Sequence, residues 1–204
     1  MKEPRPFNMR AITSAVLLQL LQERVRAPRL FLLGAALTVG RFKKSLPAEL
    51  PSELVEIAAL PVWIYKRLKD RLGQPLAFEI MRVATLTGGI AQWNVQYDTL
   101  NTSRTFENFV EQEIRANQSG VTRWNTLEII ERDIDQFALR VTRCMFHEFC
   151  VAAGVPELTS IVCQIDNAAF NSYMPDRLVF DRGGAGRRIA DGHTQCDFRW
   201  RLRM

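Results

Sequence analysis

Apolar residues recur every three or four positions through the first 120 residues of the chain. In the stretch that begins at Met9, these positions are Ile12, Val16, Leu17, Leu20 and Leu21. Such spacing places apolar side chains on one face of a helix. The same pattern predicts five helices, over residues 9–25, 28–43, 53–72, 77–94 and from Thr102 or Ser103 to residue 116.

Prolines and glycines punctuate these predicted helices. Pro28 occupies the first turn of the second helix, where its missing N–H is tolerated. Ser52 is the predicted N-cap of the third helix, and Pro61 predicts a kink or a break inside it. Gly88 and Gly89 weaken the fourth helix, and close packing against a neighbouring element is the favoured explanation for them.

The period of the apolar pattern changes after Gly120. Phe137, Leu139 and Val141 alternate with Ala and Arg, which is the period of a strand. Strands are predicted over residues 124–131, 136–141, 178–180 and 196–202, and short helices over residues 143–153 and from residue 156 onward. Gly154 is the predicted C-cap of the first of these short helices.

Together these elements predict an α+β fold. A helical N-terminal half would pack on a small antiparallel sheet, with short helices in the C-terminal half. A chain of 204 residues suits a single domain. Within it we expect a helical subdomain over residues 1–120 and an α+β subdomain over residues 121–204, which carries the candidate site.

The formal net charge of +5 bears on the class of partner. The basic excess lies mostly at the two ends of the chain, without the spacings typical of nucleic-acid-binding motifs, so we expect no nucleic-acid partner. The apolar run over residues 30–39 is too short to span a bilayer, and the N-terminal segment makes a poor secretory signal. We therefore expect a cytoplasmic protein.

The first two predicted helices are basic as well as apolar. A buried helix pair is the favoured interpretation of this pattern. Contact with a membrane surface and the formation of a homodimer are the alternatives.

All four cysteines, Cys144, Cys150, Cys163 and Cys196, lie in the last third of the chain. In a cytoplasmic protein we expect reduced thiols rather than disulfides. His147 stands midway between Cys144 and Cys150, but those two cysteines point about 120° apart on an ideal helix. We therefore expect packed thiols here, with neither a metal nor another cofactor.

Reactive side chains recur in the same third of the chain. Cys163 and Asp166 are three residues apart in a predicted helix, where a thiol and a carboxylate serve as nucleophile and proton carrier. Cys196 and Asp197 are adjacent in a predicted strand, so their side chains should face opposite sides of the sheet. The alternative is structural, with these residues packing the sheet and capping turns.

The order of these residues resembles a family signature. The segments Cys163-Gln-Ile-Asp166, Arg182 with a glycine-rich loop, Ala190-Asp191-Gly192 and Cys196-Asp197-Phe198-Arg199 resemble the C-terminal part of the 2-aminothiazoline-4-carboxylate hydrolase family. The likeness covers roughly residues 124–200, and the N-terminal half shows no comparable motif. It implies a hydrolase that opens a thiazoline ring, a cyclic amidine, to a carbamoyl-cysteine product.

The resemblance and the side-chain chemistry together suggest roles for nine residues. The catalytic candidates are Cys163, Asp166, Cys196, Asp197 and His193, and the substrate-binding candidates are Arg182, Gly183, Gly184 and Arg188. A thiolate would attack the ring carbon or orient water onto it, a nearby cation would lower its pKa, and a carboxylate would pass protons. An arginine and the glycine N–H groups would hold the substrate carboxylate.

Two other classes of function fit the same residues. A biosynthetic cyclase, isomerase or lyase would use the acid and base groups without a water nucleophile. A non-catalytic module that binds a small molecule or a metal would use only the binding groups. In every case the expected partner is a small molecule.

Overall fold

The N-terminal half of the protein consists of helices. The computed structural model describes residues 9–99, 103–120, 122–182 and 187–203. Its first five helices are α1 (Met9–Gln22), α2 (Pro28–Lys44), α3 (Ser52–Leu72), α4 (Gln74–Thr99) and α5 (Phe106–Ser119).

The C-terminal half adds a small sheet and two further α-helices. The strands are β1 (Thr126–Arg132), β2 (Gln136–Arg143), β3 (Leu178–Asp181) and β4 (Cys196–Leu202), and the helices are α6 (Met145–Ala152) and α7 (Thr159–Tyr173). The sheet order is β1-β2-β4-β3, and each neighbouring pair is antiparallel. The predicted α+β class and its helical N-terminal half are therefore confirmed.

Several predicted helix ends and breaks are wrong. Helix α3 runs without a break through Pro61, because the fixed φ of proline is itself helical and the buried neighbouring residues hold the turn in place, and the alternative of a kink stays a prediction. Ser52 is the first helical residue, and Pro51 takes the N-cap position without a side-chain hydrogen bond. Helix α5 begins later than predicted, after Thr105, whose hydroxyl accepts a hydrogen bond from the N–H of Asn108. The alternative start at Thr102 lies outside the described residues.

Gly154 ends α6 as predicted. It has a φ of 71°, in the left-handed region that glycine adopts without a steric cost. Its N–H donates to the carbonyl of Val151, and the N–H of Val155 donates to that of Cys150. This pair of bonds is the Schellman arrangement, and it turns the chain toward α7.

One hydrophobic cluster joins the two halves. It packs Leu21 and Ala59 of the N-terminal helices together with Phe149 of α6 and other buried side chains. Two polar contacts reinforce the junction, since the Tyr65 hydroxyl donates to Glu157 at 2.7 Å and Lys66 Nζ donates to the carbonyl of Ala153 at 2.6 Å. The division into subdomains near residue 120 stays a prediction.

A second cluster, rich in aromatic rings, lies between the sheet, α5 and α7. The Phe109 ring stands 5.8 Å from Phe170 and 5.5 Å from Trp200, measured between ring centroids. Trp200 of β4 is fully buried and also stacks with Phe137 of β2. These rings fix how α5 and α7 lie against the strands that carry the candidate site.

The favoured interpretation of the first two helices, a buried pair, agrees with one face of α2. Phe31, Ala35 and Phe42 are buried, but a second face exposes Leu30, Leu33 and Leu37. Contact of this face with a membrane surface or with a second copy of the chain stays a prediction. None of the helices in the described ranges combines the length and the apolar content needed to cross a membrane.

The close approach of α4 to α7 yields a stability prediction. A Cβ at Gly89 would lie 2.6 Å from Ile165 Cδ1 and 3.0 Å from two other carbons of that side chain. We expect Gly89→Ala to lower the free energy of unfolding by about 1–3 kcal/mol, because α7 would have to move away. Urea unfolding of both proteins measures the change.

Gly40→Ala is the matched control, since a Cβ there meets no atom within 4 Å. The higher helix propensity of alanine should raise the free energy of unfolding by up to about 1 kcal/mol. Equal stabilisation by the two substitutions would show that α4 and α7 do not approach each other at Gly89.

Candidate functional site

Arg182 joins the end of β3 to α7. Its Nη2 atom lies 2.9 Å from Asp166 Oδ2 and donates to the carbonyl of Cys163 at 3.2 Å. Its Nε atom donates to the Asn167 side chain at 3.2 Å. Cys163 and Asp166 lie one turn apart on α7, so the guanidinium reaches both positions at once.

The guanidinium of Arg182 is almost completely buried, with 8% of the residue exposed. The central carbon of the guanidinium, Cζ, lies 4.5 Å from the ring centroid of Phe198 and 5.5 Å from that of Phe180. The cation is therefore close to two aromatic rings. A buried cation needs a counter-charge, and Asp166 supplies it. The Nη1 atom has no hydrogen-bond partner among the described residues, so one donor remains available.

Burial and the neighbouring Arg182 shift the pKa of Asp166 in opposite directions. Burial raises the pKa of its carboxyl group, and the charge and hydrogen bond of Arg182 oppose that rise. A quarter of the side chain, 25%, remains exposed. Asp166 therefore stands at the edge of the buried region, paired on one side and open on another.

Cys196 and Cys163 are buried beside this ion pair. The Cys196 sulfur, at the first position of β4, accepts a hydrogen bond from the N–H of Ile189 at 3.1 Å. Burial raises the pKa of Cys196, while the Ile189 amide and Arg182 lower it. Burial and the Asp166 charge raise the pKa of Cys163 to about 12, against the influence of Arg182.

The expected lowering of a thiol pKa by a nearby cation is therefore outweighed. The desolvation of a buried thiolate is the larger effect at both positions. Each thiol carries its proton at neutral pH, so a reaction that uses one must first remove that proton.

The remaining cysteines belong to the packing around the site. Cys150 is fully buried in the first hydrophobic cluster, and burial raises its pKa to about 12. Cys144 occupies the N-cap position of α6, and burial raises its pKa as well. His147 Nδ1 lies 3.1 Å from the Thr159 hydroxyl. Across the described ranges, no group of three or more His, Cys, Asp or Glu side chains is placed to hold a metal ion.

Asp197 and His193 are not brought together with these residues. Asp197 lies opposite Arg140 in the β2–β4 register, with 2.9 Å between Oδ1 and Arg140 Nε, and Gln195 also donates to it. Burial raises the pKa of Asp197, but the hydrogen bonds from Arg140 and Gln195 leave it below its usual value. His193 is exposed in the turn before β4. Their catalytic roles stay predictions without a supporting contact.

Arg188, in the loop between β3 and β4, is paired within that loop, although its charge also opposes the rise that burial causes in the pKa of Cys163 and Cys196. Arg188 forms a two-pronged ion pair with Asp191, at 2.6 and 2.7 Å, so that guanidinium already has a partner. Gly183 and Gly184 lie outside the described residues, and the anion-binding role of their N–H groups stays a prediction. Among the predicted binding residues, Arg182 therefore has the strongest support.

Glu113 of α5 was not among the predicted site residues. Only 5% of it is exposed, and its Oε1 atom has no hydrogen-bond partner within the described ranges. Burial raises the pKa of Glu113 to about 8, and the charge of Asp166 adds to the rise. Its position one turn after Phe109, on the apolar face of α5, is the sequence signal that could have revealed it.

One surface cleft lies away from these residues. It has a volume of about 350 Å³ and is lined by Phe42, Trp63, Lys66 and Ala153, between α2, α3 and the end of α6. No thiol or carboxylate lines it. We place the candidate site around Arg182, where reactive groups converge, because the cleft is not lined by such groups.

The geometry defines an α+β protein that gathers two thiols, a carboxylate and a guanidinium where α7 meets the sheet. A model of the family described as L-2-amino-thiazoline-4-carboxylic acid hydrolase matches residues 53–200. This match covers more than half of the chain, so the protein belongs to that family. The match begins in α3, well before the segment whose motifs carry the resemblance.

Other comparisons add little. No curated protein matches the sequence. The Fe(II) unliganded H-NOX protein from K. algicida aligns at 11% identity over 95% of this chain and 96% of its own, with a TM-score of 0.33. A mutant of the same protein gives a TM-score of 0.32. Values of this size do not establish a common fold.

The ion pair of Asp197 predicts a pH-dependent stability change. We expect Asp197→Asn to lower the free energy of unfolding by about 1 kcal/mol at pH 7, because the pair with Arg140 is partly exposed. The folded-state pKa of Asp197 is lowered, so its contribution exists above about pH 4 and is lost as the pH falls through the folded value. Thermal unfolding of both proteins between pH 3 and 7 measures it.

Asp176→Asn, at an exposed turn position, is the control and should change stability little at any pH. A loss for Asp197→Asn that persists undiminished at pH 3 would contradict the electrostatic explanation.

Proposed function

We propose that this protein hydrolyses a small heterocyclic carboxylate of the thiazoline type, opening the ring at its amidine carbon. One observation carries the proposal: beside two thiols, the buried Arg182 holds Asp166 with one nitrogen, while another nitrogen has no partner in the described part of the chain. Membership of the hydrolase family supports the same reaction class.

Arg182 is the proposed anchor for the substrate carboxylate. Its Nη1 atom is a buried N–H donor, and hydrogen bonds between charged groups are strongest where water is excluded. The rings of Phe180 and Phe198 hold the guanidinium in place. A small planar ring bound by its carboxylate would then lie within reach of the thiols and of Asp166.

Cys196 is the proposed nucleophile. Its sulfur already accepts a hydrogen bond from a backbone N–H, which favours the negative charge that forms when the thiol loses its proton. Asp166 raises the pKa of both thiols, but it is the second-largest cause, after burial, at Cys163 and a smaller one at Cys196 than the Ile189 hydrogen bond and Arg182. Asp166, which lies 2.9 Å from the Arg182 guanidinium, is the proposed acceptor of the proton.

The proposed reaction balances with water as the only co-substrate. The Cys196 sulfur bonds to the amidine carbon as its proton passes to Asp166, and the bond from that carbon to the ring sulfur breaks. The ring sulfur takes up the proton. Water then adds to the same carbon and the bond to Cys196 breaks. One proton of the water returns to the Cys196 sulfur and the other moves to the former ring nitrogen, so the product is an N-carbamoyl-cysteine with a free thiol.

Replacement of single cysteines tests the nucleophile. With L-2-aminothiazoline-4-carboxylate as substrate, we expect Cys196→Ser to lower kcat by several orders of magnitude, as loss of a covalent nucleophile does. Cys163→Ser should lower it far less. The assay measures the free thiol that ring opening releases, corrected for the fraction of folded protein.

Cys150→Ser is the matched control, because Cys150 is equally buried but belongs to the first hydrophobic cluster. Full activity of both Cys163→Ser and Cys196→Ser would refute thiol catalysis. A ring product without the elements of water would instead indicate a cyclase, isomerase or lyase on this scaffold, and binding without turnover would indicate a non-catalytic module.

A further inference from the structure

Glu113 faces Asp166 across the contact between α5 and α7. The Tyr173 hydroxyl donates to the carbonyl of Thr105, and one turn further along α5 the ring of Phe109 packs on Phe170. The two helices therefore run antiparallel at this contact. The next turn along α5 is Glu113, and the preceding turn of α7 is Asp166.

Two buried polar atoms near Asp166 lack partners within the described ranges. One is Glu113 Oε1 and the other is Arg182 Nη1, on residues that are 5% and 8% exposed. An unpaired buried polar atom lowers stability because it has lost its bonds to water, so two of them near one carboxylate require an explanation. A ligand that offers a hydrogen-bond donor at one end and an acceptor at the other would satisfy both.

We infer that Glu113 and Asp166 together form a subsite for the cationic end of the ligand, an amidinium or guanidinium, while Arg182 takes its carboxylate. This inference rests on the proposed function and adds to it the residues that bind the amidine end of the substrate. The planar N–H donors of an amidinium match the oxygens of a carboxylate in a two-pronged pair.

A bare divalent cation fits this subsite poorly. The Arg182 guanidinium lies 2.9 Å from Asp166 and would repel a metal ion bound there. In the described ranges, no third His, Cys, Asp or Glu completes a metal site with this pair. An amidinium that carries its own carboxylate avoids the conflict, because the carboxylate meets the arginine.

The subsite couples ligand binding to a proton. Because burial raises the pKa of Glu113 to about 8, its carboxyl group is mostly protonated at pH 7 before the ligand binds. A bound cation favours the ionised form, so the proton leaves on binding. Affinity should therefore increase as the pH rises from 6 toward 8 and then level off, once Glu113 is ionised in the free protein as well.

Calorimetry with a ring that resists hydrolysis tests the subsite. The probe is 2-iminoimidazolidine-4-carboxylate, a cyclic guanidinium acid, titrated at pH 7 into buffers of different ionisation enthalpy. We expect the release of about one proton per ligand from the wild-type protein. Glu113→Gln should abolish the release and weaken binding roughly 10- to 100-fold, because an amide cannot take the negative charge.

Two controls test whether proton release depends on the Glu113 carboxyl group and on the positive charge of the ligand. Glu107→Gln, at an exposed position of the same helix, should behave as the wild type. The ligand 2-oxothiazolidine-4-carboxylate keeps the carboxylate but has a neutral carbonyl in place of the amidine, and it should bind without proton release. If Glu113→Gln does not fold, Glu113→Asp keeps a buried carboxyl and should still release a proton.

The subsite and the proposed hydrolysis can be refuted independently of each other. Proton-linked binding of the guanidinium acid without opening of the thiazoline ring would refute the hydrolase and keep the subsite. Ring opening that proceeds equally in Glu113→Gln, or binding of the probe without proton release in the wild type, would overturn the subsite and leave the hydrolase standing.

Discussion

The candidate site depends on one buried ion pair, between Arg182 and Asp166. A guanidinium that leaves water loses its hydration and stays buried only beside a counter-charge. Asp166 on α7 provides this charge at 2.9 Å, and the carbonyl of Cys163 provides a further acceptor. The end of β3 is thereby held against α7, and the start of the neighbouring strand β4 brings Cys196 to the same place.

The burial that holds this pair also sets the protonation of its neighbours. It raises the pKa of Cys163, Cys196 and Glu113, so that each of these groups carries its proton at neutral pH. In the free site, the contact between Arg182 and Asp166 therefore lies beside three groups that hold their protons. A ligand that brings charges of its own can change those protonation states, which is how such a site would respond to its substrate.

The aromatic cluster provides the frame for this chemistry. Phe109, Phe170 and Trp200 pack α5 against α7 and the sheet, and Glu113 of α5 lies near enough to Asp166 of α7 for the Asp166 charge to add to the rise that burial causes in its pKa. On the other side, α4 approaches α7 closely at Gly89, where a larger residue would press on Ile165 next to Asp166. Packing of side chains outside the candidate site therefore controls the distances between the groups within it.

The sequence determined the spacing of residues within each helix and strand, but it did not determine the contacts between these elements. The helical spacing of Cys163 and Asp166 and the opposite faces of Cys196 and Asp197 follow from the 3.6-residue and two-residue periods of the backbone. Only the tertiary structure showed that Asp197 pairs with Arg140, that Asp166 pairs with Arg182, and that Glu113 lies near Asp166. The physical reason is that a repeat within an element is a property of the local chain, whereas a partner on another element depends on how helices and strands pack.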